Sequence, residues 1–434
     1  MSPARCAKAR KPPRLSETPI AATTSTTPPH PPPPPAAATV AVCRGALLVI
    51  GTYHSVMAGL VYRRNKFGML FSVKHHEGCV SSVAVGDKYM ASAGTDERVF
   101  LFTNKQQRSL TATERQRLRA AGETLGVRLA DLGHVAPPSE VRCLMFVANS
   151  QHLLCGCADG QLVVYRTRDW TVSRSLPLHE KSVTGVAAHP SSDGALAVTI
   201  GADRYVAVVD LARGRMLSKW RYNTSLAETP SARQGEAAEA REEEGGKDGQ
   251  PCVKRVKLER RDCPHTVKFS PSGKYFTILS SHAFAVHETA TMNVVARYLA
   301  SSPQPCDELH SMAFLDDATM IFGNESGAML ACRGPWESED ARPRDCSLSL
   351  IVVHVPAEFE HPVDDTKKPL RHPTHHATRL KALRYVERTV FSVDAAGTVI
   401  AWLVGDAVDA TLTLTYVCSA NCQGRVTTMD VLPL

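Results

Sequence analysis

A six-residue pattern, apolar-x-x-apolar-x-apolar, recurs seven times along this chain of 434 residues. The clear copies are Val80-Ser-Ser-Val83-Ala-Val85, Val141-Arg-Cys-Leu144-Met-Phe146 and Val183-Thr-Gly-Val186-Ala-Ala188. Near relatives are Pro264-His-Thr-Val267-Lys-Phe269, Leu309-His-Ser-Met312-Ala-Phe314, Leu380-Lys-Ala-Leu383-Arg-Tyr385 and Val426-Thr-Thr-Met429-Asp-Val431. Their first residues lie 61, 42, 81, 45, 71 and 46 positions apart. Three of these spacings fit the period of about 40–45 residues of a four-stranded propeller blade, and three exceed it. A unit of that size buries its apolar surface only by stacking on copies of itself.

Each long interval contains a stretch that explains the excess. The first holds the polar run 105–125, the second the Glu-, Gly-, Ala- and Lys-rich run 224–262, and the third the polar runs 334–346 and 356–376. Such compositions bury too little apolar area to offset ordering entropy, so they read as surface insertions or disordered loops.

After each hexamer come two further apolar runs joined by a tight turn. Examples are Tyr89 to Phe102 around Asp96, Leu153 to Tyr165 around Asp159-Gly160, Ala197 to Val209 around Asp203, and Val390 to Trp402 around Gly397. Two-residue hairpin turns need positive φ, which accounts for Asp or Gly there. The chain ends complete the pattern. Residues 46–74 supply three strands with no hexamer before them, and the seventh hexamer, 426–431, has no strands after it. Together they make one blade, closing a ring of seven and removing open sheet edges. The expected fold is therefore an all-β seven-bladed propeller over 45–434, behind a disordered, Pro-rich basic tail at 1–44.

Composition narrows the function. About five of the seven net positive charges lie in 1–44, so the basic balance belongs mostly to the tail and not to a nucleic-acid-coating fold. That start is poor in acids, as transit peptides are, but Pro28–Pro29 and Pro31–Pro35 interrupt any amphipathic helix. The 13 cysteines show no framework spacing, and Cys143, Cys155, Cys157 and Cys332 fall inside apparent strands, which reads as a reducing compartment. No apolar run is long enough to span a membrane. His372, His375 and His376 with Cys418 and Cys422 suggest a zinc site, but the histidines sit in a Pro-rich insertion and no Cys-x-x-Cys unit exists, so an ordinary loop is expected. His75-His76 reads as a blade entry. No phosphate-loop, nucleophile-elbow or dinucleotide-binding motif is present, so neither an enzyme nor a cofactor is expected.

His179 before a first strand, Asp203 in the turn and Asp210 closing a third strand resemble the WD-repeat propeller family. The family's Trp is Phe102, Tyr165 and Val209 in three blades and Trp402 in one, where Ala396 replaces the turn Asp. Asp96, Asp159, Asp203, His179 and Trp402 are thus expected to be structural. Within that family, the order of features resembles the PAK-interacting WD-repeat, or maintenance-of-killer, group of large-subunit ribosome assembly factors. It rests on Gly51-Thr-Tyr53 with Gly59, Ser92 to Glu97, Cys143, the Arg168-Asp-Trp170 turn, His179 to Val183 with His189-Pro190-Ser191, and a degenerate fifth blade from Val267 to Gly273. This resemblance implies a nucleolar scaffold that acts within a larger complex. It would hold pre-60S assembly factors and ribosomal proteins, with rRNA as a further partner. The alternative it implies is an adaptor that binds and inhibits a PAK-type kinase. Lys254, Arg255, Lys257, Arg260 and Arg261 form a basic run resembling a short nuclear import signal, which predicts an import receptor as partner and a nuclear location.

Overall fold

The odd spacing inside the hexamer is resolved by a bulge at its second residue. In a regular strand, residues three apart face opposite ways. Here the pairing skips Ser81, Arg142, Thr184, His310, Lys381 and Thr427, so the extra residue is absorbed, and the first hexamer residue and, Val186 apart, the fourth are buried in each of these copies. Blade 5 is the exception, because its first strand begins only at Thr266.

The computed structural model describes residues 43, 45–103, 129–147, 149–190, 194–222, 263–300, 304–336, 343–356, 374–405 and 411–434. They form seven sheets of four antiparallel strands, two of which carry a fifth, parallel strand at the outer edge, each with a hexamer strand innermost. Blade 1 comprises Gly45–Thr52, Val56–Arg63 and Lys66–Lys74 with Val426–Pro433 as its inner strand. The inner strands of blades 2 to 7 are Val80–Val85, Val141–Val147, Val183–Ala188, Thr266–Phe269, Leu309–Phe314 and Leu380–Val386. Each touches the next around the ring, and Val426–Pro433 touches both Leu380–Val386 and Val80–Val85. Closure is in register, with Ile50 opposite Met429 and Leu48 opposite Val431. The seven-bladed propeller expected from the repeat is the observed fold.

The core lies between neighbouring blades. Tyr62, Phe391 and Met429 pack where blades 7 and 1 meet, and Phe284, Phe322 and Trp336 pack where blades 5 and 6 meet. Phe284 stacks on Phe322 with centroids 4.7 Å apart.

Two of the polar insertions are more structured at their ends than their composition indicated. Trp336, inside 334–346, is buried, and its indole N–H donates to the Asp317 carbonyl. Arg344–Asp345 pairs parallel to Val294–Leu299 of blade 5, Ser349–Leu350 pairs antiparallel to Met329–Arg333 of blade 6, and Val352–His354 pairs parallel to Thr413–Asn421 of blade 7. Residues 344–354 are thus a strap across the outer edges of three successive blades. Its pairing is through main-chain groups, which leave no alternation of apolar residues to read. Runs 105–125 and 224–262 lie outside the described residues, as does the tail apart from Cys43.

Candidate functional site

The polar chemistry of the propeller begins at the turns between second and third strands. In blade 2, His76 Nδ1 donates to Asp96 at 3.0 Å, and because the carboxylate fixes that proton, Nε2 accepts from Ser92 Oγ at 2.9 Å. In blade 4, His179 does the same between Asp203 and Thr199, both at 3.0 Å. Each carboxylate also accepts the amide after its histidine, Glu77 or Glu180. Burial pushes the Asp96 and Asp203 carboxyls up, but these hydrogen bonds outweigh it and hold both below the ordinary value. Burial lowers His179 despite Asp203, keeping the ring neutral.

Blade 7 builds a fuller version from different positions. Trp402 Nε1 donates to Ser392 Oγ at 2.7 Å, Ser392 lies 2.6 Å from His376 Nε2, and His376 Nδ1 faces Asp394 at 3.4 Å. All four side chains are buried. Asp394 occupies the strand position that is Gly94 in blade 2 and Gly201 in blade 4, as the registers Leu380–Asp394, Val80–Gly94 and Val183–Gly201 show. A Cβ at Gly94 would lie 2.3 Å from His76 Nδ1, and one at Gly201 would lie 2.4 Å from Asp203 Oδ1. Glycine is therefore required where the carboxylate comes from two residues later, and in blade 7 the carboxylate itself takes the glycine's place.

His376 was assigned to an unremarkable loop by the sequence reading, and the structure corrects this. It is the blade 7 histidine, four residues before Leu380 as His76 is before Val80 and His179 before Val183, and it is hidden because it ends a Pro- and His-rich run. Its spacing of 16 residues from Ser392, the same as His76 to Ser92, was the available signal. The positive φ of the turns also falls one residue later than Asp, on Glu97, Gly160, Arg204 and Gly397. The Asp side chains serve as acceptors instead. Asp159 caps its own turn through the Gln161 amide at 3.1 Å, and its own amide donates to Ser139 Oγ at 3.1 Å, while Pro137 stands at the position that is His76 in blade 2 and His179 in blade 4. Asp210 caps the next turn through the Arg213 amide at 2.9 Å. Phe102, Tyr165 and Val209 fill the Trp402 position as buried side chains. Lys254, Arg255, Lys257, Arg260, Arg261 and His372 lie outside the described residues. Among the described residues no group of His, Cys, Asp and Glu has metal-ligand geometry.

A second polar system, unread in the sequence, joins the blades to one another. The skipped second residue of the hexamer reaches the first carbonyl of the next inner strand. Ser81 donates to Val141 O at 2.6 Å, Thr184 to Pro264 O at 2.8 Å and Thr427 to Val80 O at 2.6 Å. In blade 5, His265 Nε2 donates to Leu309 O at 3.1 Å, and burial lowers its pKa to about 4. Residues from all seven inner strands enclose a central channel of about 190 Å³. Lys268, Lys381, Arg384, His265 and His310 are in its lining. Arg384 Nε donates to Asp430 Oδ1 at 3.0 Å, and the other oxygen of Asp430 accepts the Val85 amide at 2.9 Å, tying blade 7 through blade 1 to blade 2.

The family described as WD domain, G-beta repeat matches residues 126–166, which include the outer strand of blade 2 and the first three strands of blade 3. The chain is a seven-bladed propeller that carries a WD repeat. Among curated proteins it is similar to Shk1 kinase-binding protein 15 of Schizosaccharomyces pombe, 28% identical over 173 residues that make 38% of this chain and 44% of that protein. It is also similar to p21-activated protein kinase-interacting protein 1-like of Gallus gallus, 26% identical over 39% of this chain and 40% of that one. The Xenopus laevis protein of the same name is 27% identical over 39% and 41%. The match therefore spans less than half the length of these relatives, and their group is the one that the sequence features resemble. A solved structure, that of U3-55K, superposes over 82% of this chain and 86% of its own with a TM-score of 0.51 at 10% identity, a likeness of fold. The WD-repeat propeller is a scaffold fold, and the named relatives are binding proteins.

Proposed function

We propose that this protein is a non-enzymatic scaffold that joins precursors of the large ribosomal subunit in the nucleolus, holding pre-60S assembly factors and ribosomal proteins. The observation that carries the scaffold reading is the strap. It leaves Leu350, Val352 and Val353 at 66%, 52% and 40% exposure along a rim that the closed ring holds rigid. Clustered apolar side chains on a rigid edge are what partner proteins cover. The order of features over the first four blades supports the ribosomal assignment by resemblance, and the basic run 254–261 supports nuclear entry. The charged tail and insertions add salt-sensitive attraction to rRNA phosphates.

A second reading has its own support. The names of the matched relatives record kinase binding, which makes an adaptor that binds and restrains a PAK-type kinase the competing function. Affinity purification of the full chain with RNA sequencing and mass spectrometry separates the two. The first reading expects large-subunit precursor rRNA with assembly factors. Recovery of a kinase without ribosomal proteins or precursor rRNA overturns it in favour of the second.

A further inference from the structure

Lys268 is a channel cation that the protein itself does not neutralise. Among the described residues it has no hydrogen-bond or ion-pair partner, and Arg384 is the largest influence on its charge. Arg384 and burial together lower its pKa to about 7 against the pull of Asp430. Asp430 is already committed to Arg384 and to the Val85 amide.

The distribution around the ring is one-sided. Lys268 is the fifth hexamer residue of blade 5, and Arg384 is that of blade 7. Blade 6, between them, has Ala313 at that hexamer position, buried in the core against blade 7, and lines the channel with His310, Ser311 and Met312. Lys381 of blade 7 lines the same space, whereas blades 2, 3 and 4 contribute no charged residue to the described lining. Lys268 and Arg384 line the same narrow channel and repel each other, a repulsion that an anion between them relieves. The guanidinium and ammonium groups match the oxygens of a tetrahedral oxyanion through charge-assisted hydrogen bonds. A channel space of about 190 Å³ admits a group of phosphoryl size.

We propose that the central channel binds a small anion of phosphate chemistry, seated between Lys268 and Arg384 with Lys381 beside it. Binding would join blades 5 and 7 across blade 6, adding a ligand to the hydrogen bonds that already link inner strands. The source is either free phosphate or a phosphoryl group presented by a larger molecule, and both carry the same recognised oxygens.

The test is thermal unfolding of the full chain titrated with orthophosphate, pyrophosphate or phosphoserine amide against chloride at matched ionic strength. A saturable rise in Tm is expected with at least one of the three. Response to orthophosphate or pyrophosphate alone identifies the free anion as the source, and response to phosphoserine amide identifies a borne phosphoryl group. Lys268→Met is expected to weaken the apparent affinity by about tenfold or more, while Lys268→Arg retains it. Lys74→Met, the same charge change at an exposed site outside the channel, leaves it unchanged. Should Lys268→Met fail to fold, Lys381→Met takes its place with the same expected direction. No response in the unaltered protein overturns the proposal. So does a response that the channel variants preserve in full.

Discussion

Asp394 faces His376 from the strand position that Gly94 and Gly201 hold in the other His–Asp blades, so one polar device is built here from two alternative backbone sites. The first site ends the second strand and the other lies two residues on, in the turn, and a carboxylate from either reaches the histidine Nδ1. Where the carboxylate comes from the turn the strand site must be small, which is why Gly94 precedes Asp96 and Gly201 precedes Asp203.

That relationship makes the network transplantable. Asp394→Gly removes the carboxylate facing His376 and the acceptor of the Thr398 amide, and is expected to cost about 2–3 kcal/mol. Adding Ala396→Asp to it recreates the blade 2 arrangement and is expected to recover most of that loss. Urea unfolding of the two variants checks this. A double variant no more stable than the single one disproves the equivalence of the sites.

Ring closure depends on Met429, which is fully buried opposite Ile50. Met429→Ala is expected to cost about 2–5 kcal/mol, the range for a large-to-small change in a core. Deleting 426–434 strips blade 1 of its inner strand and is expected to abolish cooperative unfolding. A truncated chain that still melts in one sharp transition at the original Tm contradicts closure by this strand.

The pH dependence follows from Lys268. Its folded pKa of about 7 lies below that of an unfolded lysine, about 10.4. The unfolded chain therefore holds the proton more tightly between those values. The destabilisation is fully present below pH 7 and is shed as pH rises toward 10. Without added phosphate, Lys268→Met is expected to exceed the unaltered protein in Tm at pH 6, with the gap closing by pH 10. A gap that does not change with pH counts against the depressed pKa.

The proposed nuclear import signal lies within residues 251–261. Their deletion is expected to disperse a fluorescently tagged protein from the nucleus, while thermal unfolding of the propeller is unchanged. A nuclear distribution identical to that of the full chain removes the assignment.

Much of this architecture was readable before any coordinates because the hexamer and its hairpins are local signals repeated seven times. Each short apolar run must find a sheet, and neighbouring copies supply it. Closure was readable for a similar reason, since three strands lacking a hexamer and one hexamer lacking strands are complementary. His76 and His179, which like His376 stand four residues before a hexamer, were legible because strand-like sequence lies on both sides of them. His376 was not, because the run before it carries the composition of a loop. The strap 344–354 escaped because edge pairing is made by backbone groups, which every residue possesses.

The repeated pattern of apolar residues and turns is enough to decide that the chain forms blades, how many, and which strand completes the first. Burial of apolar area is encoded position by position, so it can be counted along the chain. What stands opposite what across the ring is another matter. Lys268, Arg384 and Asp430 are separated by long stretches of sequence, and their charges act on one another only once seven inner strands enclose a common axis. Electrostatic interaction depends on distance in space, and here that distance is set by the closed ring.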